Sequence, residues 1–161
     1  MPRPVVGELL LHPVALTAVA VMIMNDHYAK THFCGMVTGK VSDFAGLVYF
    51  PLLVASLIDA GSRVIRRRAA FNQRILVFSV AVTGVAFALA KTTMLGAEAF
   101  RRTWTILNWP LRTLMVGHAS NYHVHFVEDA TDLFAMPMLL VAYFVGWRTI
   151  QAHKGDLTGT A

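Results

Sequence analysis

Four apolar stretches, Leu9 to Met24, Phe44 to Ile58, Ile75 to Ala90 and Leu133 to Trp147, contain no Asp, Glu, Lys or Arg, and no other feature limits the fold of this chain so strongly. Each is only 15 or 16 residues long, whereas a helix needs roughly 20 residues to cross about 30 Å of hydrocarbon. Either they are the buried helices of a soluble bundle, or their polar flanks are drawn into the edge of a bilayer. A soluble four-helix bundle needs a polar outer face on every helix, and "VFSVAVTGVAFALA" (77–90) is apolar all round. The chain is also 56% hydrophobic and only 14% charged, against about 25% charged in ordinary soluble domains. The expected fold is therefore all-α, a four-helix transmembrane bundle. Its spans should cover about 9–26, 43–60, 75–92 and 132–148, making one polytopic domain over 1–148 with a short polar tail over 149–161.

Orientation follows from the connections. The link between the second and third spans, "SRVIRRRAAFNQR" (62–74), packs five arginines into 13 residues. The first connection holds only Lys30 and Lys40, and the long third one spreads Lys91, Arg101, Arg102 and Arg112 thinly. Because short cytoplasmic loops carry the excess of Lys and Arg, the arginine link and both termini are expected in the cytoplasm. The net charge of +5 and pI near 9.8 are then a matter of orientation. With no recognition motif among the basic residues, no nucleic-acid partner is expected. One cysteine, Cys34, excludes an intrachain disulfide.

This orientation gathers six of the nine carboxylates, Asp26, Asp43, Glu98, Glu128, Asp129 and Asp132, on the outer side. Two span entrances there share an order of residues: "SDFAGLVYFPLL" (42–53) and "TDLFAMPMLL" (131–140) each place a hydroxyl and an aspartate before an apolar run and a proline. Ser42 with Asp43, and Thr131 with Asp132, read first as helix starts, since their oxygens accept bonds from free N–H groups and an anion suits the positive helix end. The functional reading rests on convergence. Asn25 and Asp26 end the first span, Asp43 opens the second, Lys91 ends the third and Asp132 opens the fourth, so antiparallel helices bring them to one depth. Ionisable groups there are costly unless paired or hydrated and should face a shared cavity. Lys40 or Lys91 would pair with Asp43 or Asp132 as an ionic lock, or the set Asn25, Asp26, Lys40, Ser42, Asp43, Lys91, Asp129, Thr131 and Asp132 would bind an ion or small polar ligand. Pro51 and Pro137 lack an N–H and free the carbonyls of Leu47 and Leu133, which could coordinate a cation. The recurring order also suggests that the two halves are a duplication.

"NYHVHFVED" (121–129) supplies the metal candidates. In an extended stretch His123 and His125 point the same way, and Asp129 or Asp26 would complete a nitrogen and oxygen set for a divalent ion; surface histidines without metal are the plainer reading. Between the third and fourth spans, Phe100, Trp104, Leu107, Leu111 and Leu114 recur at helical spacing. They predict an amphipathic interfacial helix on the outer leaflet, bent or broken near Pro110, that anchors the chain or acts as a lid over the cavity. No nucleophile elbow, Walker loop, haem-attachment motif or dinucleotide fingerprint is present.

At "NDHYAK", "TGKVSDFAGLVYFPLL" and "EDATDLFAMP" the chain resembles a group of small multi-spanning bacterial membrane proteins. The resemblance implies a bacterial membrane location and singles out these outer-side residues; it lends no mechanism. A fainter likeness, at the level of the fold, is to VanZ-like proteins, which carry acidic and basic residues at the starts of their second and fourth spans. This chain lacks their Asp-Lys-x-x-His pattern and their Gly-Arg before the last span. Three functional classes stay open. The first is a membrane protein whose outer cavity binds an ion or small polar ligand in transport, sensing or an accessory role. The second is a metal-dependent hydrolase or transferase acting on a lipid or envelope substrate, with catalytic residues unassigned. The third is a structural or partner-binding protein whose charges only cap and lock helices. The lipid bilayer is the expected partner in all three, and a bundle of four short helices also admits a homo-oligomer.

Overall fold

A computed structural model describes residues 7–29, 32, 36–66, 71–116 and 129–158, and the described residues are helical with no strand. The order is α1 (Glu8–Leu11), α2 (Pro13–Met24), a π-helical turn (Asn25–Ala29), α3 (Met36–Arg66), α4 (Gln73–Thr92), α5 (Met94–Val116), a 3-10 helix (Ala130–Ala135) and α6 (Met138–Thr158). Three segments, Thr38–Ile65, Gln73–Thr92 and Ala130–His153, are long and apolar enough to cross a membrane. The shortest has 20 residues, which at 1.5 Å per residue matches about 30 Å of hydrocarbon. The shortfall seen in the apolar runs is thus made up by polar flanks that stay helical. The expected first span is not one long helix: α1 stops at His12, whose Nδ1 accepts from Val14 N (3.2 Å), and Pro13 opens α2, an apolar helix of only 12 residues, shorter than a span. Proline suits that first helical position because its missing N–H would have had no partner there.

Exposure is distributed as a membrane demands. Asn25, Ser56, Asp59, Ser79, Lys91 and Asp132 are buried, while Leu57, Phe78, Val85, Leu89, Leu140 and Phe144 are half or more exposed. Along α4 the exposed Val77, Phe78, Val82, Val85 and Leu89 form one apolar face, and Leu76, Ser79 and Ala90 are buried on the other. Water would reverse this arrangement; lipid favours it.

The chain divides into two compact units, 1–84 with 134–161 and 85–133. In the first, Leu9, Ala15, Leu52, Ala55, Ala142 and Val145 form a core shared by α1, α2, α3 and α6. Its small residues let helix backbones approach closely, which matters in lipid, where packing rather than water exclusion holds helices together. Gly146 lies directly against the Leu76 side chain, and a Cβ on Gly84 would stand 2.8 Å from a Leu139 methyl. In the second unit α4 turns into α5 at Thr93. The Thr93 hydroxyl donates to Leu89 O (2.7 Å) and accepts from Gly96 N (3.0 Å). Gly96 is required at this corner, because a Cβ would collide with the Leu89 carbonyl.

Several expectations are corrected. Ser42 and Asp43 do not start a helix: α3 already begins at Met36, so both lie inside it. Thr131 and Asp132 do not cap α6 either; they belong to the 3-10 helix, and α6 begins at Met138. Pro51 sits within α3, whereas Pro137 falls in the turn just before α6. The two similar stretches therefore fold differently, which removes the local basis for a duplication. The amphipathic helix starts earlier than expected, at Met94, and its backbone runs to Val116 without a break at Pro110. Phe100 and Trp104, expected on one face, stack with centroids 6.1 Å apart. The segment 149–158 continues α6.

Candidate functional site

The sequence-selected residues form two groups, one in each unit. In the second unit Lys91 occupies the last turn of α4, where a cation complements the negative helix end. Asp132 is held in the 3-10 helix by Asp129, whose Oδ1 accepts from Thr131 N (2.8 Å) and whose carbonyl accepts from Asp132 N (3.0 Å). Asp129, not Thr131, is thus the residue that starts this turn. The Lys91 ammonium then donates to Asp132 Oδ2 at 2.6 Å, with both side chains less than one-tenth exposed. The Phe87 ring lies one turn back, its centroid 5.7 Å from Nζ, within reach of a cation–π attraction. Lys91 with Asp132 is one of the pairings expected among two lysines and two aspartates.

In the first unit Asn25 begins the π-helical turn and is 5% exposed. Its amide donates to Thr38 O (2.5 Å) and to Ser42 Oγ (2.7 Å), tying the end of α2 to the first turns of α3. Asp43 is half-buried on α3. Lys40 lines a groove of about 710 Å³ between α2 and α3, whose other walls include Val14, Ala18, Val21, Phe44 and Val48. This groove is apolar apart from Thr17 and Lys40. The side chains of Asp26, His123 and His125 lie outside the described residues, and with them most of the expected metal set. Among the described residues no three His, Cys, Asp or Glu side chains are placed to share a metal ion.

The charges of α5 belong to the surface. Glu98 accepts from Arg102 Nε (2.7 Å) and pairs with Arg101 (3.3 Å). The Arg102 hydrogen bond holds the exposed Glu98 carboxyl below its ordinary range, with the nearby positive charges acting the same way.

One polar cluster was not selected from the sequence. Asp59, 4% exposed on α3, accepts from Arg63 Nε through Oδ2 (2.8 Å) and from Phe71 N through Oδ1 (3.0 Å). It thereby pins the chain leading into α4, whose first turn Asn72 caps by accepting from Arg74 N and Ile75 N. Nearby on the same small cavity is Glu8, which pairs with His153 Nε2 at 3.1 Å. The available signal was the spacing Ser56, Asp59, Arg63, which puts three polar groups on one helical face. It was missed because Asp59 follows the apolar run by one residue and reads as a span boundary.

Compared with protein-family models, with curated proteins and with solved structures, the chain matches none.

Proposed function

We propose that the chain is a multi-pass protein of a bacterial inner membrane that binds an ion or small polar ligand where Lys91 meets Asp132, in a transport, sensing or accessory role. The supporting observation is the 2.6 Å contact between these side chains, both almost wholly buried, in a chain whose exposed surfaces are apolar. A buried ion pair contributes little net stability compared with apolar residues of the same shape. A pair retained at the end of one span and the entrance of another therefore suits a lock that opens when a ligand supplies replacement charges. Asp129 and Thr131 position the carboxylate. The arginine link supports an orientation with both termini and the link in the cytoplasm and with Lys91 and Asp132 towards the outside.

Two measurements test this reading. The first is thermal unfolding of the detergent-purified protein against monovalent cations, divalent cations and small anions and zwitterions. It should show a ligand-dependent shift that disappears in Lys91→Met/Asp132→Leu, a variant that keeps the volume and removes the charges. A folded double variant with every shift intact would reject the site. The second uses a reporter fused after Gln73, which should report the cytoplasmic side; an outer signal would invert the orientation.

A further inference from the structure

The apolar groove of about 710 Å³ lies on α2, α3 and Met138 of α6. Ala18 and Ala45, buried where the two helices meet, line its floor, and such small side chains leave a channel that larger ones would fill. The bonds from Asn25 to Thr38 and Ser42 hold the end of α2 beside the start of α3. The two helices are therefore antiparallel, and the groove has one end at Val21 and Lys40 and the other at Pro13 and Val48. Each of these stretches covers eight residue steps, about 12 Å at 1.5 Å per residue. That is close to the depth of one leaflet, about half of a 30 Å hydrocarbon layer. A helix from a second copy crosses the whole layer and would overrun both ends, whereas a lipid chain occupies a single leaflet.

The charge of the groove is at one end. Among the described residues that line it, Lys40 alone is charged, and it stands two residues after Thr38, where the apolar span begins. A lysine so placed lays its stem along apolar surface and carries its ammonium to the level of the headgroups. An ammonium has three N–H donors, so it can hold a phosphate oxygen beside any protein acceptor it already serves. We propose that the groove binds a phospholipid, with one acyl chain between α2 and α3 and the phosphate on Lys40. Among the described residues no carboxylate lines the groove to receive a choline or ethanolamine cation, so the site prefers a lipid of net negative charge. Lys91 and Asp132 line no part of it, and the binding does not depend on which way the chain is oriented. A bound lipid ties α2 to α3 and stabilises the folded state by mass action.

The test is thermal unfolding of the detergent-purified, full-length protein with three additions. Dioleoyl phosphatidylglycerol and dioleoyl phosphatidylcholine share the same chains, and glycerol phosphate has an anionic head without a chain. Phosphatidylglycerol should raise the melting temperature by a few degrees more than phosphatidylcholine, and glycerol phosphate should leave it unchanged. Lys40→Gln, which removes the charge, and Val21→Trp, which fills the groove from its exposed rim, should each cut that difference by half or more. The Lys91→Met/Asp132→Leu variant should keep it, which separates this site from the proposed ligand site. The arginine link also attracts anionic lipid, so a difference that either Lys40→Gln or Val21→Trp leaves unchanged belongs to the link and would overturn the assignment. Equal rises for the two lipids in the parent, or a rise with glycerol phosphate as large as with phosphatidylglycerol, would overturn it too. A dimer that Val21→Trp dissociates would give the groove to a second copy instead.

Discussion

The stretches around Asp43 and Asp132 begin alike, with a hydroxyl residue, an aspartate and an apolar run, yet the structure treats them differently. Ser42 and Asp43 lie inside a helix of 31 residues, with Ser42 bonded to the amide of Asn25. Thr131 and Asp132 lie in a six-residue 3-10 helix closed by Asp129, with Asp132 bonded to a buried ammonium. One contact joins neutral groups and the other joins full charges. A hydroxyl and an aspartate before an apolar run therefore do not specify one local structure. What precedes them decides: "MVTGK" (36–40) carries no carboxylate and is already helix, while "EDA" offers the Asp129 carboxylate to the next free N–H groups.

The largest test of this contrast is to break the charged contact. Asp132→Asn or Lys91→Met leaves one buried charge without compensation, and each should cost about 3–5 kcal/mol of stability. Lys91→Met/Asp132→Leu should recover most of the loss, because it removes both desolvation costs together. Denaturation in mixed micelles, read by helical circular dichroism, measures all three. Single variants as stable as the parent would mean that water reaches the pair, and the contrast between the two entrances would disappear.

The neutral contact should be worth less. Asn25→Ala removes the donor to Thr38 O and Ser42 Oγ, and a loss of about 1–2 kcal/mol is expected, near the upper range for polar contacts between membrane helices. Ser42→Ala leaves Asn25 its bond to Thr38 and should cost about half as much. A double-mutant cycle on these two residues gives their coupling. If it matched that between Lys91 and Asp132, the two entrances would be energetically alike despite their different geometry.

The same physics explains what could be read from the sequence. The apolar runs were legible because 15 or 16 uncharged residues that are apolar all round have few places to go except lipid. Their true ends were not, because Lys40, Ser42 and Asp43 resemble a helix start in sequence whether or not a helix already precedes them. The ionic lock was legible as a set of two lysines and two aspartates, but the choice of Lys91 with Asp132 depends on the corner at Thr93 and Gly96 and on the turn at Asp129. Asp59 was illegible as a latch since the Phe71 backbone that it holds lies in another segment. His123 and His125 fall outside the described residues, so the metal reading rests on sequence alone.

The smallest expected effect calibrates the largest. Glu98 and Arg102 are four residues apart on α5, outside the spans, and their contact is nearly as short as that of Lys91 with Asp132, 2.7 Å against 2.6 Å. It is exposed, so Glu98→Gln should change stability only slightly, far less than Asp132→Asn. The two effects should also differ in their response to salt, which screens an exposed pair much more than a buried one. The sign with pH follows from the lowered Glu98 carboxyl. Its contribution is fully present above the ordinary value of 4.5 and fades as pH falls through the lower folded value. The small advantage of the parent over Glu98→Gln should therefore be constant near neutrality, shrink below that range and shrink again in high salt. A Glu98→Gln loss as large and as insensitive to salt as that of Asp132→Asn would show that distance, rather than burial, sets the strength of ion pairs in this protein.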